Sequence, residues 1–364
     1  MIRRLVSVVL ALGGVAALEL AGAAPASAHT IGGVAATNYQ SQLTAITPAT
    51  PGLTLRVRDL GRRLELENKT GEDIIVQGYQ NEPYLKVGAA GVFENLRSPS
   101  LYQNKITTGA TTLVQLPAIA DASAAPEWKR TGGGDTVSWR DHRARWEGPD
   151  PPSVVANPGL VQTVVSQWTV GLLKGAQQQT ITITGRITWV PGPAIWPWFV
   201  ATGVLFAAAF VAGMTSQWSS ALSALLAVFL AVDIVRLYGS ATQGGGSVFA
   251  GLVKALLLGV LEVMAWGAGI WAIGAIQQKK AVGLYAIMAV GLSIGFVSGV
   301  GDILNIAYSQ VPSALPVIVA RAAVAICMGL GFGLVAGGFM ALRKLGPLVP
   351  GMSLSTTKSR ARTA

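Results

Sequence analysis

Residues 180–214 read TITITGRITWVPGPAIWPWFVATGVLFAAAFVAGM, and two different kinds of structure meet within this stretch. Residues 180–190 are rich in β-branched and aromatic side chains, which is typical of a β-strand. Residues 194–214 are apolar and uncharged, and about 20 such residues are enough to cross a bilayer as a helix. The stretch therefore predicts a β-domain before it and membrane-spanning helices after it.

The junction between the two parts has its own composition. Three tryptophans alternate with three prolines there: Trp189, Trp196, Trp198, Pro191, Pro193 and Pro197. Tryptophan favours the membrane–water interface, and proline stiffens an extended chain. We expect a stiff neck that is anchored at the interface.

Five apolar segments are long enough to span a membrane: residues 194–214, 218–238, 248–276, 281–307 and 313–342. An odd number of spans places the two ends of the domain, residues 191–342, on opposite sides. The loop with Lys279 and Lys280 and the basic tail, residues 343–364, would then both lie in the cytoplasm. This orientation in the plasma membrane agrees with the positive-inside rule.

The first 28 residues are typical of a secretory signal peptide. Arg3 and Arg4 precede an apolar run, and Ala26-Ser27-Ala28 is a small-residue cleavage signal. Cleavage after Ala28 would make His29 the first residue of an extracytoplasmic domain, residues 29–190. The alternative is an uncleaved anchor, but the run is short for a span.

The charge distribution excludes some partners. Residues 29–193 carry nearly equal numbers of basic and acidic side chains, so the net charge of +10 comes mainly from the leader and from the membrane part. We therefore expect a lipid bilayer and no nucleic acid as partner. The single cysteine, Cys327, excludes a disulfide framework.

Short β-like runs recur in the N-terminal part, at residues 53–58, 63–67, 73–78, 111–116, 136–139, 163–170 and 180–190. They predict an antiparallel β-sandwich of immunoglobulin-like or cupredoxin-like type. The two runs that flank residues 68–71 predict a hairpin. Residues 80–105 contain several aromatic side chains and predict a long, ordered loop.

The two histidines are the candidate metal ligands. A chain that begins at His29 offers its α-amine and a ring nitrogen to one metal, and His142 adds a second imidazole. Such a nitrogen-rich set suits Cu(II), and Asp141 would supply an oxygen or orient the site. The alternative is that His29 is a frayed terminal residue and that His142 is hydrogen-bonded within the sandwich.

The membrane part contains a second set of polar residues: Asp233, Lys254, Glu262, Asp302 and Arg321. Ionisable side chains within spans are costly and usually face a bundle interior or a wet cavity. They would form ion pairs that hold the bundle together, or line a transport path. We expect Arg321 to pair with Asp302, Asp233 or Glu262.

The ectodomain and the topology resemble a family of uncharacterised actinobacterial exported membrane proteins. The resemblance rests on Ala28-His29, Asn38-Tyr39, Gly78-Tyr79, Glu82-Pro83-Tyr84-Leu85, Arg97-Ser98-Pro99, Pro126-Glu127-Trp128, Trp139, Asp141-His142-Arg143 and Trp146. Members often carry further histidines where this chain has Arg140 and Arg145. The histidine behind the leader is also similar to copper-resistance proteins of the CopC type and to the copper-bearing subunit of membrane methane and ammonia monooxygenases. This resemblance implies a terminal copper ligand.

Two functional hypotheses follow. The first is a copper-binding membrane protein that captures or presents copper for uptake, homeostasis or delivery to a membrane cuproenzyme. The second is a non-catalytic accessory subunit or assembly factor of a membrane enzyme complex. No common hydrolase, nucleotide-binding or zinc-protease motif occurs in a credible context, so we do not expect an enzyme.

Overall fold

The computed structural model describes residues 34–105, 115–244 and 248–345. The N-terminal part of these residues forms β-strands, which are Tyr39–Thr47 (β1), Leu53–Arg58 (β2), Arg63–Asn68 (β3), Ile74–Gln77 (β4), Pro83–Gly88 (β5), Gly91–Asn95 (β6), Trp128–Gly132 (β7), Thr136–Arg140 (β8), Gln162–Lys174 (β9) and Gln179–Trp189 (β10). Two short helices, Pro99–Gln103 (α1) and Pro152–Ala156 (α2), lie between strands.

The strands form two antiparallel sheets. The larger sheet has the order β1-β10-β9-β4-β5-β6-β7, and the smaller has the order β2-β3-β8. In β3, buried and half-buried residues alternate, with Leu64 and Leu66 buried. Because successive side chains of a strand point to opposite faces of the sheet, one face of each strand can pack into the core.

One apolar core joins the two sheets. Leu64 and Leu66 of the smaller sheet belong to the same buried cluster as Ile74, Leu172 and Ile183 of the larger sheet. Burying each such side chain contributes roughly 1.5–3 kcal/mol. The structure thus confirms the predicted antiparallel β-domain with two packed faces.

The predicted hairpin around residues 68–71 is wrong. β3 belongs to the smaller sheet and β4 to the larger one, so the chain crosses here between sheets. Asn68 stabilises the crossing because its buried amide donates to the carbonyls of Glu72 and Val87. Turn residues in a sequence predict where the chain changes direction. They do not predict which strands pair with each other.

Residues 80–105 also differ from the predicted loop, because they contain β5, β6 and α1. In β5, Tyr84 and Leu85 are buried on successive positions, which hides the alternation that identifies a strand. Glu82, which precedes β5, accepts hydrogen bonds from the hydroxyls of Ser98 and Ser100 and so stabilises the position of α1. β1 and β7 were not predicted either, and most of the predicted strand 111–116 lies outside the described residues.

The C-terminal part is helical, with elements Trp196–Met214 (α3), Trp218–Thr242 (α4), Val248–Leu258 (α5), Val260–Gln277 (α6), Ala281–Ile294 (α7), Leu304–Ala307 (α8) and Val317–Lys344 (α9). Gly259 separates α5 from α6, and a π-helix, Gly295–Val300, continues α7. Within the described residues, five helices are long and apolar enough to cross a membrane. This number agrees with the five predicted spans.

Glycines allow α9 to pack closely on two neighbours. Gly329, Gly333 and Gly337 are spaced four apart and lie against the backbone of α3, where a β-carbon would meet atoms of Thr202, Phe206 or Ala209. Gly331 lies on the opposite side, against Gly291 and Gly295. Small residues at this spacing let helix backbones approach within a membrane.

The β-domain contacts the helices through a short backbone pairing. The amide of Thr37 donates to the carbonyl of Gln310 at 3.0 Å, and the amide of Gln310 donates back at 2.9 Å. The side chain of Asn38 accepts from the amide of Ser309 at 2.8 Å, while its carbonyl accepts from the amide of Val190. The start of β1 is thereby tied both to the end of β10 and to the loop before α9.

Candidate functional site

His142 begins a 3-10 turn, His142–Ala144, directly after β8. Asp141 caps this turn, since its side chain accepts from the amide of Arg143 at 3.1 Å. Ala144 is fully buried and holds the end of the turn against the β-domain. The position of the imidazole therefore follows from a capped turn on a core strand.

Both carboxylate oxygens of Asp141 have protein partners. Oδ1 accepts from Nε of Arg143 at 2.9 Å, and Oδ2 accepts from Nη2 of Arg143 at 2.8 Å and from Nε1 of Trp139 at 3.0 Å. The side chain of Asp141 is completely buried. Asp141 is thus placed to orient the turn that carries His142, and its oxygens point to Arg143 and Trp139.

The two ring nitrogens of His142 have different surroundings. Nδ1 lies 2.8 Å from Oε2 of Glu147. Nε2 is buried and forms no hydrogen bond of ordinary geometry with the described residues. The backbone amide of His142 donates to the hydroxyl of Tyr79 at 3.0 Å, and that hydroxyl donates to the side chain of Asn104. The ring is therefore fixed at Nδ1, whereas Nε2 has no hydrogen bond of ordinary geometry to the part of the chain that the structure describes.

The His142–Glu147 contact shifts both ionisations. Nδ1 of His142 donates a hydrogen bond to Glu147, and this bond raises the pKa of His142 above its ordinary value. Burial opposes the shift, and the Gln103 carbonyl adds to it. The hydrogen bond to His142 in turn lowers the pKa of Glu147. Nδ1 is therefore held as a proton donor toward a carboxylate.

The second predicted imidazole, His29, lies outside the described residues. Within the described ranges 34–105, 115–244 and 248–345, no group of three or more His, Cys, Asp or Glu side chains could hold a metal ion. This part of the protein contributes one imidazole, and a metal site with more ligands requires residues outside it.

The membrane helices contain a buried charge cluster centred on Arg236. Its Nε lies 3.0 Å from Asp233, its Nη1 2.6 Å from Asp302, and its Nη2 3.6 Å from Glu262. Nη2 also donates to the hydroxyl of Ser298 at 2.7 Å. We call Asp233, Arg236, Glu262, Ser298 and Asp302 the Arg236 cluster.

The Arg236 cluster links four helical elements, namely α4, α6, the π-helix and the turn that follows it. Asp233 is fully buried, and its second oxygen accepts from Nε1 of Trp266 at 2.8 Å. Cys327 of α9 lies beside it, with Sγ 4.0 Å from Oδ1 of Asp233. Buried charges in a membrane require such partners.

The structure brings Asp233, Glu262 and Asp302 together but leaves the other two predicted members elsewhere. The expected pairing of Arg321 with these carboxylates is wrong, since Arg321 donates to the carbonyls of Asn305 and Tyr308 at 3.2 and 2.6 Å. Lys254 lines a cavity beneath the β-domain.

Sequence reasoning missed Arg236, although a signal was present. Arg236 follows Asp233 by three residues on one helix, a spacing that places the two side chains on the same face. An arginine within an apolar span is as costly as an acidic side chain there. The need to balance the charges of the acids therefore points to Arg236.

Comparison of the chain with protein-family models, with curated proteins and with solved structures found no match in any of the three. The arguments that follow therefore rest on the residues and their geometry.

Proposed function

We propose that the protein is a copper-binding membrane protein that captures or presents copper on the extracytoplasmic side of the plasma membrane. In this proposal the signal peptide is removed, the β-domain lies outside, and the C-terminus lies in the cytoplasm. Copper would bind to His142 and to the amine and ring of a mature N-terminal His29. The observation that carries the proposal is the buried Nε2 of His142, which forms no hydrogen bond of ordinary geometry with the described residues.

The environment of His142 resembles that of a metal-binding histidine. Such a residue commonly donates its other ring N–H to a carboxylate, which fixes the tautomer and increases the basicity of the ligating nitrogen. Glu147 occupies this position at 2.8 Å from Nδ1. With Nδ1 protonated, Nε2 carries the lone pair that a metal requires.

Val34 is the first residue that the structure describes. Val34 lines one cavity together with Asn104, and Asn104 accepts the hydrogen bond of Tyr79, which itself accepts from the amide of His142. His29 lies five positions before Val34 in the chain, and this stretch spans at most roughly 17 Å when extended. In this proposal the chain before Val34 brings His29 to the His142 ring.

The fold and the donor set also support this proposal. We assign the two-sheet domain to the immunoglobulin-like or cupredoxin-like sandwiches. Asp141 has no free oxygen in its present bonds, so its proposed role is to orient the turn of His142 rather than to bind copper. The ligands would be nitrogens, which Cu(II) prefers.

The test uses the full-length, natively processed protein in detergent. Intact mass should show that the chain begins at His29, and metal analysis should show one copper per chain. His142→Ala should strongly weaken Cu(II) binding, because no other imidazole can replace His142 beside the chelate of His29. Glu147→Gln should weaken Cu(II) binding about 10- to 100-fold, as for other carboxylates behind a metal-binding histidine.

Glu127→Gln is the matched control, since Glu127 is an exposed carboxylate that pairs with Arg97. It should bind copper as the unaltered protein does. Equal Cu(II) affinity of the unaltered protein and the His142→Ala variant, measured by competition titration, would contradict the proposal. One extra residue before His29 in the native chain would contradict the terminal chelate.

The Arg236 cluster favours a second candidate, a non-catalytic accessory subunit or assembly factor. Its carboxylates are engaged with Arg236 across several helices, which suits a rigid anchor better than a transport path. A metal-free native protein that purifies with a membrane enzyme complex would support this candidate over copper binding.

A further inference from the structure

A cavity of about 540 Å³ lies between the β-domain and the ends of two membrane helices. The β-domain contributes the turn between β2 and β3, the end of α1 and the end of β8. The helices contribute the end of α4 and the first turns of α5. The cavity therefore opens at the level where the spans begin, which is where lipid headgroups lie.

The charges around this cavity are strongly unbalanced. Its basic residues are Arg62, Arg63, Lys105, Arg140 and Lys254, and its acidic residue is Asp59. The carboxylate of Asp59 lies 4.0 Å from Arg63, at the limit of an ion pair. Three further basic residues of the cavity wall, Lys105, Arg140 and Lys254, form no ion pair with a residue that the structure describes.

The positive charges also affect one another. Burial, together with the charges of Arg145 and Arg140, lowers the pKa of Arg62 to about 10, although Glu147 and Asp59 oppose the shift. Arginine normally stays protonated far above this range. A positive potential of this kind is relieved when an anion enters the cavity.

Lys254 adds an independent argument. It lies on α5, whose sequence VFAGLVKALLL is otherwise uncharged, and its side chain is half-buried. It forms no hydrogen bond or ion pair with any residue that the structure describes. An ammonium group on an apolar helix near a membrane surface is stabilised by a nearby negative group.

We infer that this cavity binds a phosphate group, held by Lys254 from the membrane side and by Arg63 and Arg140 from the β-domain. Ser138 and Asn104 line the same cavity. Guanidinium groups match phosphate oxygens in geometry, whereas lysine acts as a point charge. The phosphate belongs to an anionic lipid headgroup or is free in solution, and the binding site is the same in both cases.

The test is thermal unfolding of the full-length protein after delipidation. One arm adds mixed micelles with phosphatidylglycerol, a second adds micelles with phosphatidylcholine, and a third adds inorganic phosphate. We expect phosphatidylglycerol to raise the unfolding midpoint in a saturable manner and phosphatidylcholine to raise it less. A saturable rise with inorganic phosphate alone would identify free phosphate as the ligand.

The variant Lys254→Gln/Arg140→Gln removes one charge from each side of the cavity. Apparent affinity should fall about fivefold per charge removed, or roughly 25-fold in total. Lys129→Gln/Arg186→Gln is the matched control, because it removes two charges from the β-domain at residues outside the cavity wall. The control should keep the affinity of the unaltered protein.

Two results would overturn the inference. One is an absence of saturable stabilisation by both the lipid and inorganic phosphate in the unaltered protein. The other is an equal loss of affinity in the control and in the cavity variant, which would indicate general attraction to a charged surface. Neither readout involves copper, so this test is independent of the proposed metal site.

Discussion

At the scale of single residues, His142 combines a fixed orientation with an ionisation that the structure shifts. The carboxylate of Glu147 holds Nδ1 at 2.8 Å, and the amide of His142 is held by Tyr79. Burial raises the pKa of Tyr79, so its hydroxyl stays protonated and donates to Asn104. A short chain of hydrogen bonds therefore sets the direction of the imidazole.

The His142–Glu147 pair predicts a pH dependence of the metal-free protein. The pKa of His142 should lie above 6.5, its ordinary value, and Glu147→Gln should bring it back toward that value. Because the folded-state pKa of His142 is raised, the pair contributes its full stabilisation between about pH 4.5 and pH 6.5, and this contribution disappears as pH rises through the raised pKa. It is also lost at low pH, once Glu147 is protonated below its ordinary pKa of 4.5.

The measurement is an NMR titration of the imidazole signals, which is practical because the whole sequence has only two histidines. Glu127→Gln serves again as the control, and it should leave the His142 titration unchanged. A His142 pKa at or below 6.5 in the unaltered, metal-free protein would contradict this prediction.

At the scale of elements, α9 organises the helical part through its glycines. One row, Gly329, Gly333 and Gly337, allows contact with α3, and Gly331 allows contact with the α7 side. A β-carbon on Gly333 would lie 2.8 Å from the carbonyl oxygen of Phe206, which is closer than real β-carbons approach other atoms. Since the obstacle is backbone, a whole helix must move to make room.

Gly333→Ala should therefore destabilise the helical part, although alanine is the better helix former. We expect a loss of about 1–3 kcal/mol, as for other overpacked interiors, measured by thermal unfolding in detergent. Gly267→Ala on α6 is the matched control, because no atom lies within 4 Å of its added β-carbon. The control should be neutral or slightly stabilising, and equal effects of the two substitutions would refute the packing argument.

At the scale of the whole molecule, two arginines in the helical part have separate roles. Arg236 joins helices to each other through the Arg236 cluster. Arg321 holds the carbonyls of Asn305 and Tyr308, immediately before the loop whose Ser309 and Gln310 pair with the β-domain. One arginine stabilises the bundle, and the other supports the docking of the β-domain on it.

Substitution should separate these roles. Arg236→Met leaves three buried carboxylates without a cation, and removal of one member of a buried pair costs about 3–5 kcal/mol in soluble proteins. It should strongly lower the folded yield. Arg321→Gln should keep the helical core and should increase hydrogen exchange at the amides of Thr37, Ser309 and Gln310. Unchanged exchange at these amides, or an equal loss of yield in both variants, would contradict the division.

Much of the architecture follows from the sequence by itself. Apolar runs of sufficient length identify the five described helices that are long and apolar enough to cross a membrane, because length and hydrophobicity are properties of local composition. Runs of β-branched residues identify β2, β3, β4, β8, β9 and β10 for a similar local reason. The sequence also shows how few histidines and cysteines are present, and this limits the possible metal chemistry.

The tertiary structure decided which elements and side chains meet. Sequence did not reveal that β3 and β4 lie in different sheets, that Arg236 rather than Arg321 joins the carboxylates, or that Lys254 faces basic residues of the β-domain. Strand pairing and ion pairing join residues that are far apart in the chain, for example Arg236 and Asp302. Their energies depend on distance and burial in three dimensions, and neither quantity is encoded in a local stretch of residues.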